Sequence, residues 1–169
     1  MVTSLHAQAQ SGIDPAPAVS ERRATQVRVA TSVPKDAQSV ALFLEAPQDA
    51  PGGIDSEGLQ RAGFRGRLGQ TLLVPRSDAA VSVAVGWAGK DPSALSRLRD
   101  AAAAYARSVP GHERLALAVP KVPGVAPEVV AQALVEGALL ARYRYLPYKA
   151  LADGETWVAA LTLVSSESR

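Results

Sequence analysis

Short apolar runs alternate with two helical segments from about residue 25 onward, and this alternation constrains the fold more than any other feature of the sequence. Each run is rich in aliphatic or β-branched side chains and is bounded by Pro, Gly or polar residues, which is typical of strands. The predicted strands are residues 27–29, 39–44, 71–74, 80–85, 115–119 and 157–164. Strands that alternate with helices in this way predict an α/β sandwich around a mixed sheet.

Both helical segments carry start signals and one apolar side. Asp91 can cap free backbone amides and Pro92 loses no hydrogen bond at the first helical position, so a helix is expected to begin there and to end near Ser108. A second helix is expected from Pro127 to Arg142. Its predicted buried stripe consists of Val130, Ala133, Leu134, Gly137, Leu140 and Ala141.

The chain length of 169 residues fits a single domain with short extensions. Residues 1–24 show no sustained period and are expected to form a flexible tail. Residues 25–165 are expected to form the domain, and the polar residues 166–169 the start of a linker. Residues 46–58 are crowded with Pro, Gly and Asp, so they predict a loop, followed by a short helical turn around Leu59.

Composition excludes several classes of function. The absence of cysteine removes disulfide frameworks, thiolate nucleophiles, zinc fingers and iron–sulfur clusters. No segment approaches the roughly 18 consecutive apolar residues of a membrane span, so a cytoplasmic protein with no membrane contact is expected. The net charge of +2 is too small for binding driven by a general positive field. Any contact with nucleic acid would therefore have to be local.

The residues that usually carry catalysis are scattered in this sequence. His6 and His112 are far apart, neither stands at metal-ligand spacing, and no P-loop, GxSxG or HExxH motif occurs. Residues 123–127 place one glycine before a helix, which can bind an anion, but a tight strand-to-helix turn is the favoured interpretation. We therefore expect no catalytic, cofactor-binding or metal-binding residue in this chain.

Two short clusters combine basic residues with aromatic or glycine residues. A solvated surface with snorkelling side chains is the first interpretation of these clusters, a protein interface the second, and a nucleic acid the third because the net charge is low. The first cluster is Arg61, Arg65 and Arg67, and the second is Arg142, Tyr143, Arg144, Tyr145, Tyr148 and Lys149. In the nucleic-acid interpretation, Arg142 and Arg144 are the candidate DNA contacts.

Three segments in order resemble the N-terminal domain of the leucyl aminopeptidase, or cytosol aminopeptidase, family. They are residues 63–71 with a glycine-basic-glycine pattern, the Ala-rich residues 98–107, and residues 136–149, which are similar to the signature EGxLLxxYxFxxYK. The residues that carry the resemblance, and are candidates for an interface, are Gly66, Glu136, Gly137, Tyr143, Tyr145, Tyr148 and Lys149. Tyr145 stands where the family commonly has Phe.

This resemblance implies a three-layer α/β/α fold similar to macro domains. It implies a cytosolic metallo-exopeptidase that removes N-terminal amino acids and whose two divalent metals, Zn or Mn, are held by a C-terminal catalytic domain. No part of this sequence matches that catalytic domain. The chain is then expected to be a non-catalytic domain that helps to assemble a homo-hexamer and shapes access to the active sites.

Two alternatives remain from other classes of function. A stand-alone macro-like module would bind ADP-ribose or another nucleotide at the glycine-containing loops near Gly86 and Gly124. A DNA-binding domain would use Arg142 and Arg144, because some bacterial members of the family use the surface of this domain in protein–DNA complexes.

Overall fold

A computed structural model describes residues 24–51, 53–75, 80–88, 93–143 and 156–165. Within these ranges the chain forms six strands, three α-helices and one 3-10 turn at Pro47–Asp49. The strands are β1 Gln26–Ala30, β2 Ser39–Leu44, β3 Thr71–Val74, β4 Val81–Gly86, β5 Arg114–Ala118 and β6 Ala160–Val164. The helices are α1 Ser56–Arg61, α2 Ala94–Ser108 and α3 Pro127–Arg142. None of the helices in these ranges is long and apolar enough to cross a bilayer.

The six strands form one sheet in the order β1-β6-β5-β2-β4-β3. Strand β3 runs antiparallel to β4, and every other neighbouring pair is parallel. Strands β2, β4, β5 and β6 are buried along most of their length, as expected for parallel strands that are covered on both faces. The mixed sheet that the sequence predicts is therefore confirmed.

Alternate residues of the central strands contact different helical layers. Phe43 and Val85 belong to the large core cluster that includes the apolar sides of α2 and α3. Their neighbours Leu44 and Ala84 instead form a smaller cluster with Leu59 of α1. Because successive strand residues point to opposite faces, α2 and α3 cover one face of the sheet and α1 packs on the other. This arrangement confirms the three-layer α/β/α fold.

The largest difference in element bounds concerns the last strand. The sequence predicts a strand over residues 157–164, whereas β6 begins only at Ala160. The first residue of β5, Arg114, pairs with Ala160. Residues before Ala160 therefore have no partner in β5, and β6 begins at Ala160. Residues 46–58, predicted to be a loop, contain the 3-10 turn and the first turn of α1.

Several expectations fall outside the described residues. They are the flexible tail, apart from Ala24, the linker over residues 166–169, and the start of the first long helix at Asp91 and Pro92. The described part of that helix begins at Ala94 and ends at Ser108, the predicted last residue.

The prediction that Leu140 is buried is wrong. Its side chain is 69% exposed, whereas Leu134 on the same helix is fully buried. At about 100° per residue, Leu140 lies about 120° around the helix axis from Leu134. The buried side of α3 is therefore displaced around the helix from the predicted stripe: it includes Ala138 and excludes Leu140.

Candidate functional site

The first two residues of the family signature join the two long helices. Gly137 is buried in α3, and a Cβ atom added to it would overlap the backbone carbonyl oxygen of Arg99 in α2. Glu136 Oε2 accepts hydrogen bonds from Arg99 Nε at 2.9 Å and from Arg99 Nη2 at 2.7 Å. Glu136 Oε1 accepts a further hydrogen bond from Gln132 Nε2. The hydrogen bonds from Gln132 and Arg99 lower the pKa of Glu136.

Arg142, the last residue of α3, is only 9% exposed and points into the protein. Its guanidinium donates hydrogen bonds to backbone carbonyls around the C-terminus of α2, the loop that follows it and the segment before β6. These carbonyls belong to Ala106, Val109, Pro110, His112 and Thr156. The candidate DNA contact at Arg142 is therefore corrected: this side chain is used to hold the fold together. Arg144, the other candidate, lies outside the described residues.

The buried guanidinium of Arg142 lies beside His112. Carbonyl groups at a helix C-terminus carry partial negative charge, which favours a cation at this position. Burial and the positive charge of Arg142 together lower the pKa of His112. The Nδ1 atom of His112 is buried and has no hydrogen-bond partner among the described residues. His112 is thus a loop histidine that lies beside a buried cation.

A pair of large apolar side chains is exposed at the same end of α3. Leu140 is 69% exposed and Tyr143, which follows the last residue of α3, is 60% exposed. They are three residues apart, so they lie one turn apart along the helix. The remaining signature residues, Tyr145, Tyr148 and Lys149, lie outside the described residues.

Two glycines fix the segment that leads into β3. Gly66 is buried with φ of +70°, and a Cβ atom added to it would overlap the carbonyl group of Glu45. A Cβ atom added to Gly86 would overlap the backbone carbonyl of Arg67. Both glycines are therefore used for close backbone packing. Gly66 is not an exposed interface residue, and Gly86 presents no open loop to a nucleotide.

Gly124, the second glycine proposed for nucleotide binding, lies in an exposed turn before α3. The amide of Val125 donates to the carbonyl of Val122, and Pro127 provides no amide donor at the start of the helix. The structure therefore agrees with a strand-to-helix turn at residues 123–127.

The first basic cluster does not form one anion-binding surface. Arg61 forms ion pairs with Asp55 at 3.1 Å and with Glu57 at 3.4 Å. Arg65 donates to the carbonyl oxygens of Gln60 and Phe64. Arg61 and Arg65 thus interact with different groups of the protein. Of the three cations in the cluster, Arg65 and Arg67 line the same cavity and Arg61 does not.

That cavity is an open cleft of about 850 Å³ beyond the carboxyl ends of β2, β4 and β5. Its lining residues are Phe43, Glu45, Ala46, Gln48, Asp49, Arg65, Gly66, Arg67, Trp87, Ala88, Pro120 and Lys121. The sequence analysis does not identify this cleft. The order of the strands is the feature that could have identified it. Ligands bind outside the carboxyl ends of parallel strands, at the point where the strand order changes direction.

The described residues do not fit the two-metal centre that the family resemblance implies. Within the described ranges, no three His, Cys, Asp or Glu side chains are grouped so that they could hold a metal ion. Such a centre would need ligands from outside these ranges.

Comparisons with solved structures place the fold among macro domains. The chain is similar to the macro domain of ganglioside induced differentiation associated protein 2, with 14% identity, a TM-score of 0.57 and coverage of 83% of this chain and 77% of that chain. It is also similar to the DarG macrodomain of Mycobacterium tuberculosis, with 11% identity, a TM-score of 0.54 and coverage of 86% of this chain and 100% of that chain. At these identities the likeness concerns the fold alone.

The sequence comparison identifies a family and not only a fold. The profile of the cytosol aminopeptidase family, N-terminal domain, matches residues 27–150. The chain belongs to this family. A comparison with curated proteins gives no significant match.

Enzymes are found among the similar solved structures. The bottromycin maturation enzyme BotP is 29% identical with a TM-score of 0.58, and the match covers 78% of this chain and 27% of that chain. A mutant of tomato leucine aminopeptidase is 15% identical with a TM-score of 0.61, and the match covers 86% of this chain and 33% of that chain. The chain therefore spans about a quarter to a third of the length of these enzymes.

Proposed function

We propose that this chain is the non-catalytic N-terminal domain of a cytoplasmic metallo-aminopeptidase that removes N-terminal amino acids from peptides. Its role is to assemble a homo-oligomer, a hexamer in the whole enzyme, and to shape access to the active sites. The partner within the polypeptide is the catalytic domain, which supplies the hydrolytic chemistry with two Zn or Mn ions. Family membership and the partial coverage of the enzymes BotP and leucine aminopeptidase support this proposal.

The observation that carries the assembly role is the exposed pair Leu140 and Tyr143. Both side chains are large, and leaving them in water forfeits the free energy of burying apolar surface, about 25 cal/mol per Å². Tyr is enriched at the centres of protein interfaces, where its ring is buried and its hydroxyl can find a partner. The pair also belongs to the signature segment that begins with Glu136 and Gly137. A contact with another subunit explains why this segment has apolar residues on its outer side.

The position of the pair suits a rigid interface. Arg142 lies between Leu140 and Tyr143 in the sequence and binds carbonyl groups of two other segments. The end of α3 is therefore held in place by the same residue that separates the two exposed side chains. A preorganised surface loses less conformational entropy when it binds.

Sedimentation velocity of the native gene product tests the assembly role. The double variant Leu140→Glu plus Tyr143→Ser is expected to shift the protein from the oligomer towards smaller species. Val129→Glu is the matched control, because Val129 is also exposed on α3, at 42%, but near the other end of the helix. A native protein that sediments as a monomer, or a double variant that assembles like the wild type, would contradict this role.

Each alternative function loses a candidate residue in the structure. The DNA-binding interpretation loses Arg142 to the interior of the protein. The nucleotide-binding interpretation loses the open glycine loop at Gly86, because backbone atoms fill the space beside that residue.

A further inference from the structure

The sheet has two edge strands, β1 and β3, and they differ in the side chains that guard the edge. An edge strand exposes unpaired backbone groups, and proteins commonly place a charged residue or a proline there to prevent pairing with another chain. Strand β1 carries Arg28 at its centre. Strand β3, with the sequence TLLV, contains neither a charged residue nor a proline. The edge at β3 is therefore the one that can accept a further strand.

The backbone groups at the free edge of β3 belong to Thr71 and Leu73. The amide of Gly86 in β4 donates to the carbonyl of Gln70, the residue before β3. Hydrogen-bonding direction alternates along a strand, so Leu72 also points its backbone groups towards β4. The amide and carbonyl groups of Thr71 and Leu73 then point away from β4. Within the part of the chain that the structure describes, no hydrogen bond outside the ladder reaches these groups.

The side chains of β3 are apolar on both faces of the sheet. Leu73 is 48% exposed and pairs with Val83 of the large core cluster, so it lies on the face that α2 and α3 cover. Leu72 and Val74 lie on the opposite face, where they pack partly buried against the cluster beneath α1. A further strand at this edge would cover apolar side chains on both faces, which favours its binding.

We propose that β3 pairs with β3 of a second copy of this chain, antiparallel and about a two-fold axis at Leu73. In this register the amide and carbonyl of Leu73 bond to the same groups of the second copy, and the amide of Thr71 donates to the carbonyl of Pro75 there. Because Pro75 has no amide, the ladder ends at that point. On the opposite face, Leu72 of each copy lies beside Val74 of the other. The strand is thus complementary to itself in hydrogen bonds and in side chains.

This pairing deepens the proposed assembly role and rests on it, since a ladder between two four-residue strands is short and is strengthened when a second contact holds the same copies together. It uses a different surface from Leu140 and Tyr143, which lie at the end of α3. A two-fold contact at β3 combined with a different contact at α3 closes an oligomer of dihedral symmetry. Loss of either contact alone is therefore expected to leave a smaller oligomer.

Sedimentation velocity of the native gene product tests the contact at β3. Leu73→Lys places a charge from each copy at the two-fold axis, and it is expected to reduce the sedimenting mass to about half that of the wild type. Val29→Lys is the matched control, because Val29 is an apolar residue of the other edge strand and is 75% exposed. This control is expected to leave the sedimenting mass unchanged. The thermal midpoints of both variants are compared with that of the wild type.

A cross-linking experiment tests the register without introducing a charge. The 169-residue chain contains no cysteine, so one introduced cysteine reports only its own contacts. Directly opposite residues of a hydrogen-bonded antiparallel pair have Cα atoms about 5.5 Å apart, a distance that a disulfide can span. Mild oxidation of the Leu73→Cys chain is expected to give a covalent dimer. The Val29→Cys chain is expected to remain monomeric under the same conditions.

Two results would overturn the pairing at β3 and leave the assembly role standing. The first is a Leu73→Lys protein that sediments like the wild type while the double variant of Leu140 and Tyr143 forms smaller species. The second is an equal yield of covalent dimer from Leu73→Cys and Val29→Cys. A native protein that sediments as a monomer would overturn both, because the pairing rests on assembly.

Discussion

The Cα atom of Gly137 lies against the backbone carbonyl group of Arg99, and there is no room between them for a methyl group. The side chain of Arg99 reaches over the same contact to the carboxylate of Glu136. Two adjacent residues of α3 therefore contact one residue of α2. Gly137 does so because it has no side chain, and Glu136 does so through its charged carboxylate. This explains in physical terms why glutamate and glycine occur together at the start of the family signature.

Gly137→Ala is expected to lower the free energy of unfolding by about 3 kcal/mol, because the added methyl group forces α2 and α3 apart. The control is Gly58→Ala in α1, where the new methyl group meets only the flexible side chain of Asp55. That control is expected to change stability by less than about 1 kcal/mol, since alanine also favours the helix. Denaturant unfolding measures both, and equal effects of the two substitutions would refute the close helix contact.

Arg142→Ala is expected to destabilise the fold by about 3–5 kcal/mol, because several buried carbonyl groups lose their donor. Arg142→Lys keeps the charge but has no planar fork to bridge the carbonyls, so a loss of about 2 kcal/mol is expected. The exposed Arg107→Ala serves as the control and is expected to stay within about 0.5 kcal/mol of the wild type. Unfolding in urea measures these differences. A stable Arg142→Ala protein that lost affinity for DNA would restore the DNA-binding interpretation.

Leu134→Ala is expected to cost about 2–5 kcal/mol, as is usual for a fully buried leucine. Leu140→Ala on the same helix is expected to cost less than about 0.5 kcal/mol in the monomeric domain, since its side chain is exposed. Thermal and denaturant unfolding at low protein concentration compare the two. A large loss for Leu140→Ala under these conditions would mean that its side chain packs within the domain.

The pKa of His112 is lowered in the folded state by burial and by Arg142, from an ordinary value of 6.5. The unfolded chain therefore binds a proton at His112 more readily than the folded chain does. Stability from this residue is present above the unfolded value and is lost as the pH falls from there through the folded pKa. His112→Asn is expected to flatten the decline in stability between about pH 7 and pH 5. The measurement is the free energy of unfolding across this range, and identical slopes in both proteins would contradict the assignment.

Much of the fold follows from local patterns in the sequence. Runs such as 39–44 and 71–74 have the composition and length of strands, and the observed strands have the same bounds. The end of α2 at Ser108 and the extent of α3 from Pro127 to Arg142 also agree with the predictions, because proline and glycine mark helix ends. The order of the strands in the sheet does not follow from such patterns, since it depends on contacts between distant segments.

The candidate site was harder to predict for the same reason. Arg142 has the sequence position of an exposed helix-terminal cation, and only the folded chain brings carbonyl groups of α2 and Thr156 around it. Leu140 fits the apolar period of α3, but its side chain is exposed in the folded domain. The cleft depends on three segments that follow β2, β4 and β5, and no single segment indicates a binding site.

The intact mass of the native polypeptide, together with its peptidase activity in Mn²⁺ or Zn²⁺, tests the central claim most directly. The account predicts a polypeptide heavier than the 17.6 kDa of this domain, with a downstream reading frame that encodes metal-binding Lys, Asp and Glu residues. It also predicts metal-dependent release of N-terminal amino acids from peptides. A native polypeptide of 17.6 kDa without that activity would contradict the claim that this domain serves an aminopeptidase.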